Sequence, residues 1–355
     1  MSEPLNVLIM GATYGSLLAT KLVFAGHNCH LICLPEEADL INSDGLRTRI
    51  PVRGREVLVE LHSAKATGKV SAGGPDRADP ATFDLVALAM QEPQYRLPGV
   101  RNLLDRVARA RTPCMSIMNM PPLPYLARLP GGDTSALRDC YADPSVWDSF
   151  EPSYMTLASP DPQAFKPPEE PLNMLQVSLP TNFKVSAFER DAHTDMLRRI
   201  EADIQAIRHD AGDGPLELPV KVRVHDSVFV PLAKWAMLLT GNYRCITPDG
   251  PRAIRDAVHG DLDASAEIYA WVRQICIDLG AAEADLVPFE KYANAAKGLA
   301  KPSSAARALF GGAPFIERVD KLVQALAAGL GKRHTALDET VALVDRQLEI
   351  NRSAG

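Results

Sequence analysis

An uncharged apolar run, Leu5–Met10, ends at Gly11. Ser16–Ala25 follows, with Leu17, Leu18, Leu22 and Phe24 at helical spacing and Gly26 as a natural stop. A second apolar run, Cys29–Leu34, comes next. Strand, glycine turn, helix and strand within about 30 residues make the βαβ unit of a nucleotide-binding sheet. No other opening constrains a chain so tightly. Parallel strands need crossover connections, and the sheet they form is covered by helices on both faces.

The alternation continues. Val57–Leu61, Asp84–Met90 and Cys114–Asn119 read as strands, with a helix over Val100–Ala110. Met174–Leu179, Phe183–Phe188 and Leu216–Val224 add three more strands, and Asp191–His209 a helix. From Asp226 the character is all-helical: Val228–Leu239, Ile254–Leu279 (with Gly260 inside it), Phe315–Leu330 and Leu337–Ile350. The pattern predicts an α/β chain: a doubly wound sheet over residues 1–220, then an all-α domain over residues 221–355.

At 355 residues there is room for two domains, and 46% hydrophobic with 23% charged residues excludes disorder and coiled coil. A net charge of −6 argues against a nucleic-acid partner. Residues 6–20 are uncharged but glycine-interrupted, preceded by Glu3, and shorter than a membrane span. The expectation is a cytoplasmic chain with no membrane partner and no need of disulfides. His27, Cys29, His30 and Cys33 match no zinc spacing, and strand alternation sends His30 away from both thiols. No metal site is expected.

The turn reads Gly11-Ala12-Thr13-Tyr14-Gly15-Ser16, where a dinucleotide fingerprint wants G-x-G-x-x-G. Its place between strand and helix still suits a phosphate at a helix N-terminus. Thr13 would crowd the pyrophosphate, so a βαβ unit that has lost its cofactor is the competing reading. The second strand ends in Cys33-Leu34-Pro35-Glu36-Glu37. The two glutamates would repel the 2′-phosphate of NADP if close, whereas Arg47, Arg49 or Arg53 could attract it. The sequence leaves that choice open.

GATYGSLLATKLVFAGHNCHLI resembles the N-terminus of the ketopantoate reductases (2-dehydropantoate 2-reductases), with a turn one residue shorter. Asp84–Gln91 resembles the family's fourth strand, with Met90 or Gln91 at its lysine, and Met118-Asn119-Met120 sits at its Gln-Asn-Gly. Ala233–Leu239 resembles the helix of the catalytic lysine, which maps to Lys234. Of two asparagines that follow in the family, one maps to Leu238 and the other to Asn242. Lys301-Pro302-Ser303-Ser304 resembles the segment of the substrate-binding serine, best matched by Ser304. The family's glutamate falls at Ile316, with Glu317 one residue late, and His334–Thr340 resembles the start of its last helix.

The resemblance implies a Rossmann domain, a helical substrate and dimerisation domain, and an active site in the cleft between them. It implies an NADP cofactor, with NAD as the alternative, a small carbonyl substrate and a homodimer. Cofactor contacts would come from Gly11, Ala12, Thr13, Tyr14, Gly15, Ser16, Met90, Gln91 and Asn119. Catalytic roles would fall to Lys234, Asn119, Asn242, Ser304 and Glu317. The implied activity is NAD(P)H-dependent reduction of a 2-oxo acid or related carbonyl, and the departures at Leu238 and Glu317 point to a substrate other than ketopantoate itself. A catalytically decayed ligand-binding or regulatory protein, or an opine-type imine-reducing dehydrogenase, would share the plan.

Each residue also has a plainer use. A helix face often carries an exposed lysine such as Lys234. Asn119 suits a strand-end turn, Gly241-Asn242 a helix C-cap, and Ser304 a cap for a short helix over Ala305–Leu309. One residue late on a helix means about 100° of rotation, so Glu317 reads as an exposed first-turn glutamate.

Prolines outnumber glycines, 28 to 23, and thirteen lie between Pro113 and Pro180. Pro121, Pro122 and Pro124 closely follow Asn119. Residues 121–171 therefore read as an insert forming a wall or lid, lined by Tyr125, Trp147, Phe150 and Tyr154, with a surface loop as the alternative.

Overall fold

Across residues 3–210, 212 and 214–354, which the computed structural model describes, the chain first builds an eight-stranded sheet. Its strands are β1 Asn6–Met10, β2 Asn28–Ile32, β3 Val70–Gly73, β4 Leu85–Leu88, β5 Cys114–Ile117, β6 Met155–Ser159, β7 Phe183–Ser186 and β8 Val222–His225. Their spatial order is β8-β7-β6-β5-β4-β1-β2-β3. From β3 to β6 all neighbours are parallel; β7 runs antiparallel to β6, and β8 parallel to β7. Chain order moves outward from β1 in both directions, which makes β1 and β4 the switch point of a doubly wound sheet. Ligands of such sheets bind beyond the carboxyl ends of the strands there.

Helix α1, Thr13–Phe24, is buried continuously from Gly15 to Val23. A helix buried on all sides needs cover on all sides. The main sheet covers one side and a second sheet another. The second sheet has the order Val59–His62, Arg47–Ile50, Met174–Leu179, Gln163–Phe165. Two of the expected strands, near Val57 and at Met174, thus belong to this second sheet. Thr20 in α1 meets Thr48 of the second sheet, hydroxyl to hydroxyl, at 2.9 Å.

The proline-rich run is no insert outside the sheet, because β6 lies within it. The expected strand Leu216–Val224 is interrupted: Val220 takes a left-handed conformation, φ 61°, between the short strand Pro215–Glu217 and β8. The long helix expected over Ile254–Leu279 stops at Gly260. It resumes as Leu262–Asp278, capped by Asp261, whose carboxylate accepts from the Ala264 N–H at 2.9 Å.

Two compact units emerge. The first holds residues through Met90, Gln94–Tyr125 and Val146–Asp226. The second holds Gln91–Pro93, Leu126–Ser145 and the chain from Ser227 onward. This differs from a single division after residue 220: part of the proline-rich run packs with the helices. The helical unit has its core around Trp235, Tyr269 and Tyr292, the last two stacked at 5.5 Å. Among the described residues, no helix is long and apolar enough to cross a membrane.

Candidate active site

Gly11 ends β1 with φ +103°, and a Cβ there would lie 2.8 Å from the Ala89 carbonyl oxygen beyond β4. Only glycine fits that close crossing. Gly15 is needed for a different reason: its Cβ would sit 2.5 Å from Ile9 Cγ2, where α1 packs on β1. Close helix–strand packing is the role of the third glycine in a dinucleotide fingerprint. In the shorter turn that glycine falls one residue earlier, so Ser16 does not need to be glycine. The Ser16 hydroxyl donates back to the Ala12 carbonyl.

Thr13 is the first residue of α1 and is exposed. No side chain caps α1, and its first turn holds no acidic residue. The positive end of the helix dipole at such a turn suits an anion. The glycine turn and a helix start without acidic residues fit the pyrophosphate of a dinucleotide.

Met90 lies just beyond β4, its N–H donating to the Tyr95 hydroxyl at 3.1 Å. Asn119 is half-buried, two residues past β5. Both stand at the carboxyl edge, as Gly11 does. Gln91 is exposed and is grouped with the helical unit. The aromatics of the proline-rich run form no exposed lid. Tyr125, Trp147 and Phe150 are 0%, 2% and 9% exposed, and Trp147 packs between Tyr95 and Phe150 at 5.5 and 6.0 Å. Tyr154 is half-buried beneath the Arg190 guanidinium, 4.4 Å from the ring centre.

In the helical unit, Lys234 starts a short α-helix, Lys234–Met237, that widens into a π-turn over Leu238–Asn242. The Tyr243 N–H reaches back five residues to the Leu238 carbonyl at 3.0 Å. A π-turn adds one residue to the helical count. Asn242, eight residues after Lys234, then stands where the seventh would on a regular helix, within about 20° of the lysine's face. Gly241 therefore lies inside the turn and does not cap it. A Cβ on Gly241 would sit 2.1 Å from Tyr292 Oη, and that hydroxyl donates to the Met237 carbonyl at 3.0 Å.

Two further segments converge on residues 242–245. Ser303, not Ser304, caps the helix Ser304–Phe310: its Oγ accepts the Ala306 N–H at 3.0 Å and donates to the Asn242 carbonyl at 2.7 Å. Ser304 is exposed on the first turn. Glu317 is not an exposed helical residue. It lies in irregular chain before the helix Val319–Gly329, at 8% exposure. The Tyr243 hydroxyl donates to the Glu317 carbonyl and accepts the Val319 N–H at 3.0 Å. Burial pushes the Tyr243 phenol well above its ordinary pKa, so it stays protonated as that donor.

Sequence reasoning missed one buried carboxylate, Glu92, and the partner of another, Glu37. Glu92, 2% exposed, gives its N–H to Glu317 Oε1 at 3.4 Å and accepts the Ala142 N–H at 3.1 Å. Glu37, in the first turn of the helix Pro35–Asp44, is buried in an ion pair with Lys166. Each pairing joins residues far apart in the chain, and no local pattern announces either.

Solved structures match the chain along its whole length. A ketopantoate reductase of Ralstonia eutropha JMP134 superimposes with a TM-score of 0.63 at 17% identity, over 98% of this chain and 99% of that one. A 2-dehydropantoate 2-reductase of Methylococcus capsulatus gives 0.61 at 14% identity, over 98% of each chain. The chain has the ketopantoate reductase fold. D-Mandelate dehydrogenase, in a ternary structure with NADH and anilino(oxo)acetate, matches with a TM-score of 0.62 at 12% identity, over 98% of this chain and 99% of that one. No protein-family model and no curated protein matches the sequence.

Proposed function

We propose that the chain is a nicotinamide-dependent reductase of a 2-oxo acid or related carbonyl, resembling the ketopantoate reductases but with a substrate other than ketopantoate. One observation carries this reading. The π-turn aligns Asn242 with Lys234, and the segments of Ser304 and Glu317 converge on the residues that follow it. These are the segments in which the family resemblance locates its catalytic groups.

An ammonium in such a group stabilises the negative charge that develops on a carbonyl oxygen and then gives it a proton. Lys234 takes that role. Asn242 and Ser304 hold polar groups of the substrate, and Glu317 holds the proton balance beside them. The dinucleotide supplies hydride chemistry when bound. Gly11, Ala12, Thr13, Tyr14 and Gly15 cradle its pyrophosphate, while Met90, Gln91 and Asn119 stand along its nicotinamide half. Leu238 stands where the family has an asparagine and is 3% exposed. A polar substrate contact is lost with it, which argues against ketopantoate. A homodimer belongs to the same reading.

Titration of NADH and NADPH, followed by nicotinamide fluorescence, tests the cofactor half. Oxidation of the bound dinucleotide on adding 2-oxo acids tests the rest. Lys234→Ala should lower turnover by about 10²–10⁴. Full turnover in that variant would remove Lys234 from its role. A requirement for an added amine would favour an imine-reducing dehydrogenase, and absence of binding at millimolar dinucleotide a ligand-binding protein on this fold.

A further inference from the structure

The carboxyl end of β2 is where a Rossmann sheet distinguishes the ribose of NAD from the phosphorylated ribose of NADP. Here Cys33 and Leu34 leave the strand, and Glu36 and Glu37 occupy the first turn of the helix Pro35–Asp44. Lys166 follows the strand Gln163–Phe165 of the second sheet, which packs against α1, and pairs with Glu37. Both charges lie close enough to the Cys33 thiol to act on it. Burial is the main cause that pushes it up to about 11; Glu37 adds to the rise and Lys166 opposes it.

The cations within reach of this strand end in the sequence are largely committed elsewhere. Arg47 pairs with Asp44 at 2.9 Å and Glu60 at 3.4 Å. Arg49 pairs with Glu60 at 3.1 Å and Glu170 at 2.5 Å. Lys166 is neutralised by Glu37, while Glu36 is exposed at the same strand end. The local sum is one negative charge.

We infer that Glu36 and Glu37, the latter held by Lys166, form the ribose end of the dinucleotide site and select NADH over NADPH. Carboxylate oxygens are acceptors only, so they suit a ribose that offers two hydroxyl donors. A 2′-phosphate offers a doubly charged acceptor instead and meets like charge. Lys166 fixes Glu37 in place and uses up the cation that a phosphate would need. This inference rests on the cofactor reading above and reverses the NADP expectation. It also gives the proline-rich run a part in cofactor choice.

The test is fluorescence titration of NADH and NADPH, separately, into the full chain and into two variants. The unchanged chain should bind NADH at least about tenfold more tightly than NADPH. Glu37→Gln should weaken NADH about tenfold. Because breaking a buried pair can unfold the chain, Glu36→Gln is the second variant, an exposed change at the same strand end. It should raise NADPH affinity about three- to tenfold and weaken NADH about three- to tenfold, so that the preference narrows. Equal affinities, or a preference for NADPH, would overturn the inference and leave the cofactor reading standing. Loss of that NADPH preference in Arg53→Ala would identify the exposed cation that takes the phosphate. No binding of either dinucleotide would overturn both.

Discussion

Lys21 lies in the middle of α1 at 1% exposure, its Nζ donating to the Pro219 carbonyl at 2.9 Å. Burial, and then the neighbouring Lys221, lower its pKa from 10.5 to about 7, while Glu217 opposes them. The unfolded chain therefore binds a proton between about pH 7 and 10.5 that the folded chain does not. Stability rises with pH across that window, and below it the full cost of the buried charge applies. A drop of that size corresponds to about 5 kcal/mol. Replacing the side chain orphans one carbonyl, at about 1–3 kcal/mol. The larger number decides the sign: Lys21→Met should stabilise the fold by about 2 kcal/mol at pH 6 and flatten stability between pH 7 and 10. Urea unfolding at several pH values measures both, and a destabilised variant at pH 6 would contradict the argument. None of this is legible in the sequence, where Lys21 sits between Thr20 and Leu22 like any amphipathic-helix lysine. Lys234 stands out in the sequence only because its neighbours on both sides resemble a family motif. The burial of Glu317 was not, because the helix was expected to begin at Phe315 and begins at Val319.

At the scale of the element, apolar runs mark strands well where the sheet is buried on both faces. β1, β2, β4 and β5 all appear in the sequence as such runs. β6 does not, since its five residues, Met155–Ser159, are flanked by Pro152 and Pro160. Short apolar runs between helix breakers read as loop. The π-turn is a different failure. Nothing in Leu238–Asn242 distinguishes one hydrogen-bond register from another, and the Tyr292 contact that occupies the Met237 carbonyl comes from fifty-five residues downstream. The turn's stability can be tested at its tightest point. Gly241→Ala should cost about 1–3 kcal/mol because the methyl group meets Tyr292 Oη. Tyr292→Phe alone loses a hydrogen bond worth about 1 kcal/mol. The double variant should be less destabilised than the sum by at least about 0.5 kcal/mol, since removing the hydroxyl makes room for the methyl. Strict additivity in urea unfolding would show that the two do not meet.

For the whole molecule, the sequence pattern implies two parts that meet at one point in the chain, and the structure divides the chain differently. Leu126–Ser145 leaves the sheet unit and packs with the helices. Leu129, Leu137 and Tyr141 are buried there, Pro130 lies 3.1 Å from where a Cβ of Gly280 would be, and the Ala142 N–H reaches Glu92. A change from β to α periodicity marks where one chemistry of folding gives way to another, but it cannot reveal a segment lent by one part to the other. The loan has a measurable consequence. A chain ending at Asp226 keeps the whole eight-stranded sheet yet strips Leu126–Ser145 of its partners. Each large apolar side chain so exposed is worth about 1.5–3 kcal/mol to any surface that buries it again. That chain should therefore self-associate in size-exclusion chromatography and bind a hydrophobic dye. Replacing Leu126–Ser145 by a Gly/Ser segment of equal length should remove the association without lowering its melting temperature, because the segment groups with the helices and not with the sheet. If the segment packs with the sheet instead, the replacement should lower the melting temperature, and the association should persist.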